Sequence, residues 1–329
     1  MHALPMATGD LVKRLLSGDR VALAKLITLV ENRHPDTTAV MSAIHSRCGR
    51  AFKIGITGPP GAGKSTLVNR LIALLRCRDR SVGVIAVDPS SPFSGGAVLG
   101  DRIRMQAHAL DNQVFIRSLS TRGSHGGLAR ATHNIVQLLD AFGKDIVLIE
   151  TVGVGQTELD VMGLADTTVV VLVPEAGDTI QTMKAGLLEI ADIFVVNKAD
   201  RDGALRIKTE LEAMLQLRPG GEWTVPVLLT EASVTGQGVD ELLQMILRHR
   251  EAWLRSGKGE AHEAAARRDE FFAVLREEIA LRIERGANGE SLGDLLKKVE
   301  AGSIDPYRAA LDLVDDVERL HALLEKPSR

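Results

Sequence analysis

From residue 51 onward, short runs rich in β-branched and other apolar residues alternate with stretches whose apolar positions recur every three or four residues. The runs lie at 52–57, 82–87, 114–116, 146–149, 168–173, 193–196 and 225–229. This alternation predicts parallel βα units. Residues 8–47 read as helical. Leu11, Leu15 and Leu16 share one face, Ser17-Gly18-Asp19 breaks and recaps the chain, and Val21, Leu23, Leu26, Ile27 and Val30 continue at helical spacing until His34-Pro35 stops the run. This prefix is expected to cover one end of the sheet, with His34 and His45 at the surface. Beyond 240, helical spacing returns at Leu242, Leu243, Ile246 and Leu247, at Phe271, Phe272, Leu275, Ile279 and Ile283, and at Leu311, Val314, Val317, Leu320 and Leu324. Gly286-Ala287-Asn288-Gly289 separates the last two series. The pattern predicts an α/β protein with a mostly parallel central sheet and helical extensions, divided as 1–50, 51–250 and 251–329. Helices that follow a complete α/β domain often pack on a second subunit, so residues 251–329 are expected to form a homodimer.

At 329 residues, 45% hydrophobic and 25% charged, the chain can bury a large core. A net charge of −3 gives no general attraction for nucleic acid or an anionic membrane. Cys48 and Cys77 do not form a metal-type pair and point to a reducing compartment. No apolar run approaches the ~18 residues of a membrane helix, and residues 1–10 lack a signal-peptide core. The expectation is a cytoplasmic protein without nucleic-acid or membrane partners.

The run at 52–57 turns into Gly58-Pro59-Pro60-Gly61-Ala62-Gly63-Lys64-Ser65-Thr66, followed by a helical series at Leu67, Leu71, Leu74 and Leu75. Glycines at this spacing let consecutive backbone N–H groups curl around phosphate oxygens, and the helix adds its positive end. In this reading Lys64 reaches the β- and γ-phosphates and Ser65 ligates Mg²⁺. The residues just after each further strand are the ones to inspect, because ligands of parallel sheets collect at strand carboxyl ends. Asp88 is placed to touch Mg²⁺ or its waters, and the Gly-, Ser- and Pro-rich loop after it can carry Asp101 and Arg102 toward the γ-phosphate. Glu150 ends the run at 146–149 and also qualifies as a metal-site carboxylate. The backbone N–H of Gly153 can then bond the γ-phosphate and be released after hydrolysis.

Most small GTPases have Asp where this chain has Glu150, and glutamine where it has Val154; Gln156 comes two residues later. Weak hydrolysis by the isolated protein follows, with a partner completing the site. After the run at 193–196 stand Asn197, Lys198 and Asp200. Asp200 can accept from guanine N1–H and the exocyclic amine, which adenine cannot offer, so the spacing favours GTP over ATP. Ala232, Ser233 and Val234 fit a last base-contacting loop. The polar stretch 174–184 is either a nucleotide-sensing switch or a helix start capped by Asp178.

The phosphate loop resembles that of the MeaB/ArgK family, as do Val-Asp-Pro-Ser-Ser with Gly-Gly-x-x-Leu-Gly-Asp-Arg, Thr-Arg-Gly-Ser-x-Gly-Gly, Glu-Thr-Val-Gly-Val-Gly-Gln, Asn-Lys-Ala-Asp and Asp305-Pro306-Tyr307. The resemblance runs from about Gly18 to Tyr307. It implies a P-loop GTPase, binding GTP or GDP with Mg²⁺, that acts as a G-protein chaperone of an adenosylcobalamin-dependent acyl-CoA mutase, typically methylmalonyl-CoA mutase. It implies a homodimer that gates cobalamin loading and guards the mutase against inactivation. It also implies nucleotide-site roles for Lys64, Asp88, Asp101 and Glu150, and a switch carrying Glu175, Asp178, Gln181 and Lys184. An older link of the family to arginine transport finds no membrane signal here. Two alternatives are a GTPase that delivers nickel or another metal, disfavoured by nine scattered histidines, and a scaffold with structural nucleotide.

Overall fold

The structure is a computed structural model that describes residues 5–88, 108, 110–120, 125–151, 159, 161–174, 185–217, 222–286 and 290–324. It divides into two compact units, Met1–Ser256 and Gly257–Arg329. The first begins with helices α1 (Met6–Leu16), α2 (Arg20–Glu31) and α3 (Thr37–Ile44). Then come β1 (Phe52–Thr57), α4 (Lys64–Arg76), β2 (Val82–Asp88), β3 (Val114–Ser120), α5 (His125–Ala141), β4 (Ile146–Thr151) and β5 (Thr167–Leu172). It closes with α6 (Ala185–Ile190), β6 (Ile193–Asn197), α7 (Ala204–Gln216), β7 (Val227–Thr230) and α8 (Val239–Arg255).

The seven strands form one sheet in the order β3-β2-β4-β1-β5-β6-β7, with every pair parallel. Apolar side chains leave both faces of it. Ile54, Ile56, Leu148, Val169, Val171 and Val195 pack with Leu67, Leu71 and Ile72 of α4 and Leu242, Leu243 and Ile246 of α8. Their neighbours one residue on point the other way: Val147, Ile149 and Ile85 meet α5, while Val170, Leu172, Phe194 and Val196 meet α7. Burial on both faces is why the strands read as unbroken apolar runs rather than alternating ones. The edge strand β3 runs four residues past its apolar segment, because Arg117–Ser120 stay in register with Ile85–Asp88. An edge strand tolerates polar residues there, and Arg117 ion-pairs with Glu31 of α2.

The prefix packs beside the edge strand β3, where Arg20 of α2 donates to the Asp111 and Asn112 carbonyls. Leu15, Leu23, Leu26, Ile27, Val40 and Ile44 are fully buried in one cluster with Ile135, Leu138 and Leu139 of α5, so α1–α3 extend the core outward on the α5 face. Asp19 restarts the chain as expected, accepting from the N–H groups of Val21 at 2.7 Å and Ala22 at 3.2 Å after Gly18 turns at φ +89°. His34 and His45 are exposed.

The second unit holds α9 (Lys258–Gly286), α10 (Glu290–Glu300), α11 (Pro306–Asp315) and α12 (Val317–Leu324). Residues 287–289 lie outside the described residues. Asp305 caps α11 through the Arg308 N–H at 2.8 Å, with Pro306 at the first helical position. The apolar series 311–324 is two helices rather than one. Asp316 leaves helical geometry at φ −81°, ψ 84°, and its carboxylate accepts from the Arg319 N–H at 3.0 Å, starting α12. No helix among the described residues is long and apolar enough to cross a membrane.

The turn into β1 hangs on Asp140, at the end of α5. Its buried carboxylate accepts from the N–H groups of Gly49, Arg50 and Ala51. Removing it strands three donors, so Asp140→Ala is expected to destabilise the first unit by about 3 kcal/mol in denaturant unfolding. A change below roughly 0.5 kcal/mol would show that the turn does not depend on these bonds.

Candidate nucleotide site

The site starts where β1 ends. Between Thr57 and Lys64 the backbone turns at positive φ three times, at Gly58 (+143°), Gly61 (+77°) and Gly63 (+86°). Two of these glycines also answer to crowding. A Cβ at Gly58 would sit 2.0 Å from the Val171 carbonyl oxygen, and one at Gly63 would sit 2.4 Å from Asn197 Nδ2, whereas nothing lies within 4 Å of one at Gly61. The loop is therefore pressed onto the ends of β5 and β6.

Lys64 opens α4 and is buried, donating from Nζ to Gly58 O at 2.8 Å and Pro59 O at 2.9 Å. Ser65 Oγ donates to Glu150 Oε1 at 2.6 Å, and Glu150 is only 1% exposed at the end of β4. Thr151 Oγ1 donates to Thr57 Oγ1 at 2.9 Å, closing β1 against β4. The first turn of the 13-residue α4 contains no acidic residue, so its N–H groups and dipole are available to an anion. A polyphosphate is the ligand this arrangement can hold. A hydroxyl beside a carboxylate is a hard oxygen donor pair that fits Mg²⁺, whose remaining ligands are normally waters and phosphate oxygens.

The second half of the site is built by Asn197, the last residue of β6 and 3% exposed. Its Nδ2 donates to Ala62 O at 2.8 Å. Its Oδ1 accepts from Thr230 Oγ1 at 3.0 Å and from the Ala232 N–H at 3.2 Å. Lys198 follows at φ +57°, an uncommon conformation for a residue with a side chain. Asp200 stands exposed in the next turn, which the Ala199 N–H ties to Thr230 O at 3.0 Å. Ala232 is buried and its carbonyl accepts from Arg70 Nε at 3.1 Å, while Ser233 and Val234 are exposed.

The structure thus brings residues 58–66, Glu150, 197–200 and 232–234 to one end of the sheet. Asp88 closes β2 at the same end, paired with Ser120. Asp101, Arg102, Gly153, Val154, Gln156, Glu175, Asp178, Gln181 and Lys184 lie outside the described residues. The sequence did not reveal the bond from Asn197 to Ala62, the Thr57–Thr151 pair or the Arg70 contact. A threonine ending a strand and an arginine on a helix carry no motif, whereas Asn197 was detectable because it already stood in one.

Residues 23–288 match the family described as "Methylmalonyl Co-A mutase-associated GTPase MeaB". The chain belongs to the MeaB family. It is a P-loop GTPase by that membership, and relatives support it. A candidate GTPase of Pyrococcus abyssi is 47% identical over 305 residues, covering 92% of this chain and 94% of the relative. The mouse protein named methylmalonic aciduria type A homolog, mitochondrial, is 33% identical over 315 residues, covering 90% of this chain and 76% of the relative. Among solved structures, one titled as a LAO/AO transport system kinase superposes with a TM-score of 0.68 at 29% identity, covering 96% of this chain and all of that one.

The two kinds of glycine in the MeaB-type loop separate experimentally. Gly61→Ala carries only the left-handed backbone cost and is expected to lower stability by about 1 kcal/mol. Gly58→Ala adds a backbone collision and is expected to cost about 3 kcal/mol or more in thermal unfolding. Equal costs would mean that the loop is not pressed on β5.

Proposed function

We propose that this GTPase binds GTP and GDP with Mg²⁺ at the carboxyl end of its sheet, and that the bound nucleotide controls its grip on an adenosylcobalamin-dependent acyl-CoA mutase of the methylmalonyl-CoA type. In this way it gates cofactor loading and protects the mutase. The observation that carries the nucleotide part of the reading is the junction at Asn197, which bonds the phosphate loop and the 230–232 loop at once. Residues suited to phosphate and to guanine are thereby held in one frame. The mutase part is supported by the family description.

In this mechanism the backbone N–H groups of 58–66 and the start of α4 bind the phosphates. Lys64 exchanges its two carbonyl partners for β- and γ-phosphate oxygens, and its charge offsets the negative charge that builds up as the terminal phosphate leaves. Ser65 and Glu150, with Asp88 and Asp101, hold Mg²⁺, which supplies further charge neutralisation when bound. Asp200 selects guanine, the Lys198 stem covers the base, and Ala232–Val234 close over it. Gly153 and the segment bearing Glu175, Asp178, Gln181 and Lys184 report the nucleotide state to the partner. The protein works in the cytoplasm as a homodimer joined through its second unit. There Phe271, Phe272, Leu275 and Leu281 of α9 are between 38% and 61% exposed, an apolar surface that suits a second copy.

GTP turnover by the purified protein is expected to be slow and to rise when a cobalamin-dependent mutase of the same organism is added, with Lys64→Ala about 10²-fold slower in both conditions. Unchanged turnover with every such mutase would overturn the partner assignment and leave the GTPase standing. Asp200→Asn replaces an acceptor with a donor, so selectivity is expected to move from GTP toward xanthosine triphosphate by roughly 10²-fold. Unaltered selectivity would remove Asp200 from base recognition.

A further inference from the structure

The opposite end of the same sheet holds a cavity of about 580 Å³. It sits where β1, β2 and β4 begin, roughly 20 Å from the phosphate loop given six-residue strands rising about 3.3 Å per residue. Six basic residues line it, Arg47, Arg50, Arg78, Arg80, Lys144 and Arg250, against two carboxylates, Asp140 and Asp145. That is a dense positive patch on a chain whose net charge is −3.

Both carboxylates are engaged by the fold. Asp140 accepts the three N–H groups of the turn before β1, and Asp145 accepts from Ser81 N–H at 2.8 Å and Ser81 Oγ at 2.7 Å, with Arg80 farther off at 3.8 Å. Arg78 pairs with Asp240 at 3.0 Å, and the Arg250 guanidinium lies 4.7 Å over the Phe52 ring. No acidic side chain among the described residues pairs with the Arg47 or Arg50 guanidinium. Lys144 is 4% exposed. Burial, aided by nearby Arg20 and Arg76, pushes its ammonium down to about 8, and its Nζ donates to Gln113 O at 2.8 Å, so the exposed guanidiniums are the groups left to meet a ligand. Helices α4 and α5 end here, and basic residues commonly answer helix carboxyl ends. That accounts for Arg76, which donates to Arg80 O at 2.8 Å, but not for Arg47 and Arg250, which come from other elements and converge on one concavity.

We propose that this cavity binds a small molecule carrying two or more phosphate groups, at a site separate from the nucleotide site. Guanidinium groups on several sides suit bidentate contacts to phosphate oxygens. Leu16, Phe142 and Leu247 on the wall offer an apolar seat for an organic part of the ligand.

The test uses the full chain saturated with GDP and equimolar Mg²⁺, so that added phosphates cannot enter the phosphate loop, and titrates pyrophosphate and adenosine 3′,5′-bisphosphate by calorimetry. One saturable site per chain is expected. The double variant Arg47→Ala/Arg80→Ala removes two exposed guanidiniums and is expected to weaken binding about 10²-fold, at roughly tenfold each, with GDP affinity unchanged as the check on folding. Tighter binding of the bisphosphate would assign the site to an organic phosphate, and equal binding to an inorganic oligophosphate. Absence of binding by both probes, or equal affinity in the double variant, would overturn the proposal.

Discussion

Asn197 is the contact on which the geometry of the nucleotide end depends. A buried primary amide must satisfy both of its ends, and here one end is given to the phosphate loop at Ala62 and the other to Thr230 and Ala232. Two segments 135 residues apart in the chain are thus set at one distance and angle. The same residue explains part of the loop's composition, because a side chain at Gly63 would collide with the Asn197 amide.

The sheet makes that contact possible. Its strands are apolar on both faces, so the helices cover them completely and the backbone offers polar chemistry only at strand ends. At the carboxyl end, helix starts and loop N–H groups are positive and suit phosphate. At the amino end, helix carboxyl ends are negative, and basic residues gather beside them. The chain therefore has two ends with positive side chains, built for different reasons, and only at the first does the backbone itself point donors at the ligand.

Much of this was legible beforehand. All seven strands announced themselves as apolar runs, because double burial leaves no alternation to confuse with surface polarity. The phosphate loop and Asn-Lys-x-Asp were legible because their chemistry requires particular residue types at fixed spacing. What escaped was what depends on partners distant in the chain. The last residues of β3 are held by register with β2 rather than by their own apolarity. The break at Asp316 falls within an apolar spacing that reads as one helix. The prefix helices gave a correct apolar face and the expectation that it would cover one end of the sheet, without pointing to α5 as a packing partner. The arginines of the basic cavity are scattered from 47 to 250, and only the parallel sheet brings them together.

The reading of the protein as a nucleotide-controlled chaperone rests on linkage. If the mutase prefers one nucleotide state, that nucleotide must tighten the mutase by the same factor. The most direct test is the dissociation constant of the complex with the methylmalonyl-CoA mutase of the same organism, measured once with GDP and once with a non-hydrolysable GTP analogue. The account predicts that the two constants differ by roughly fivefold or more, the low end of ordinary coupling energies. Equal constants would contradict it, because a nucleotide that a partner does not distinguish cannot control that partner.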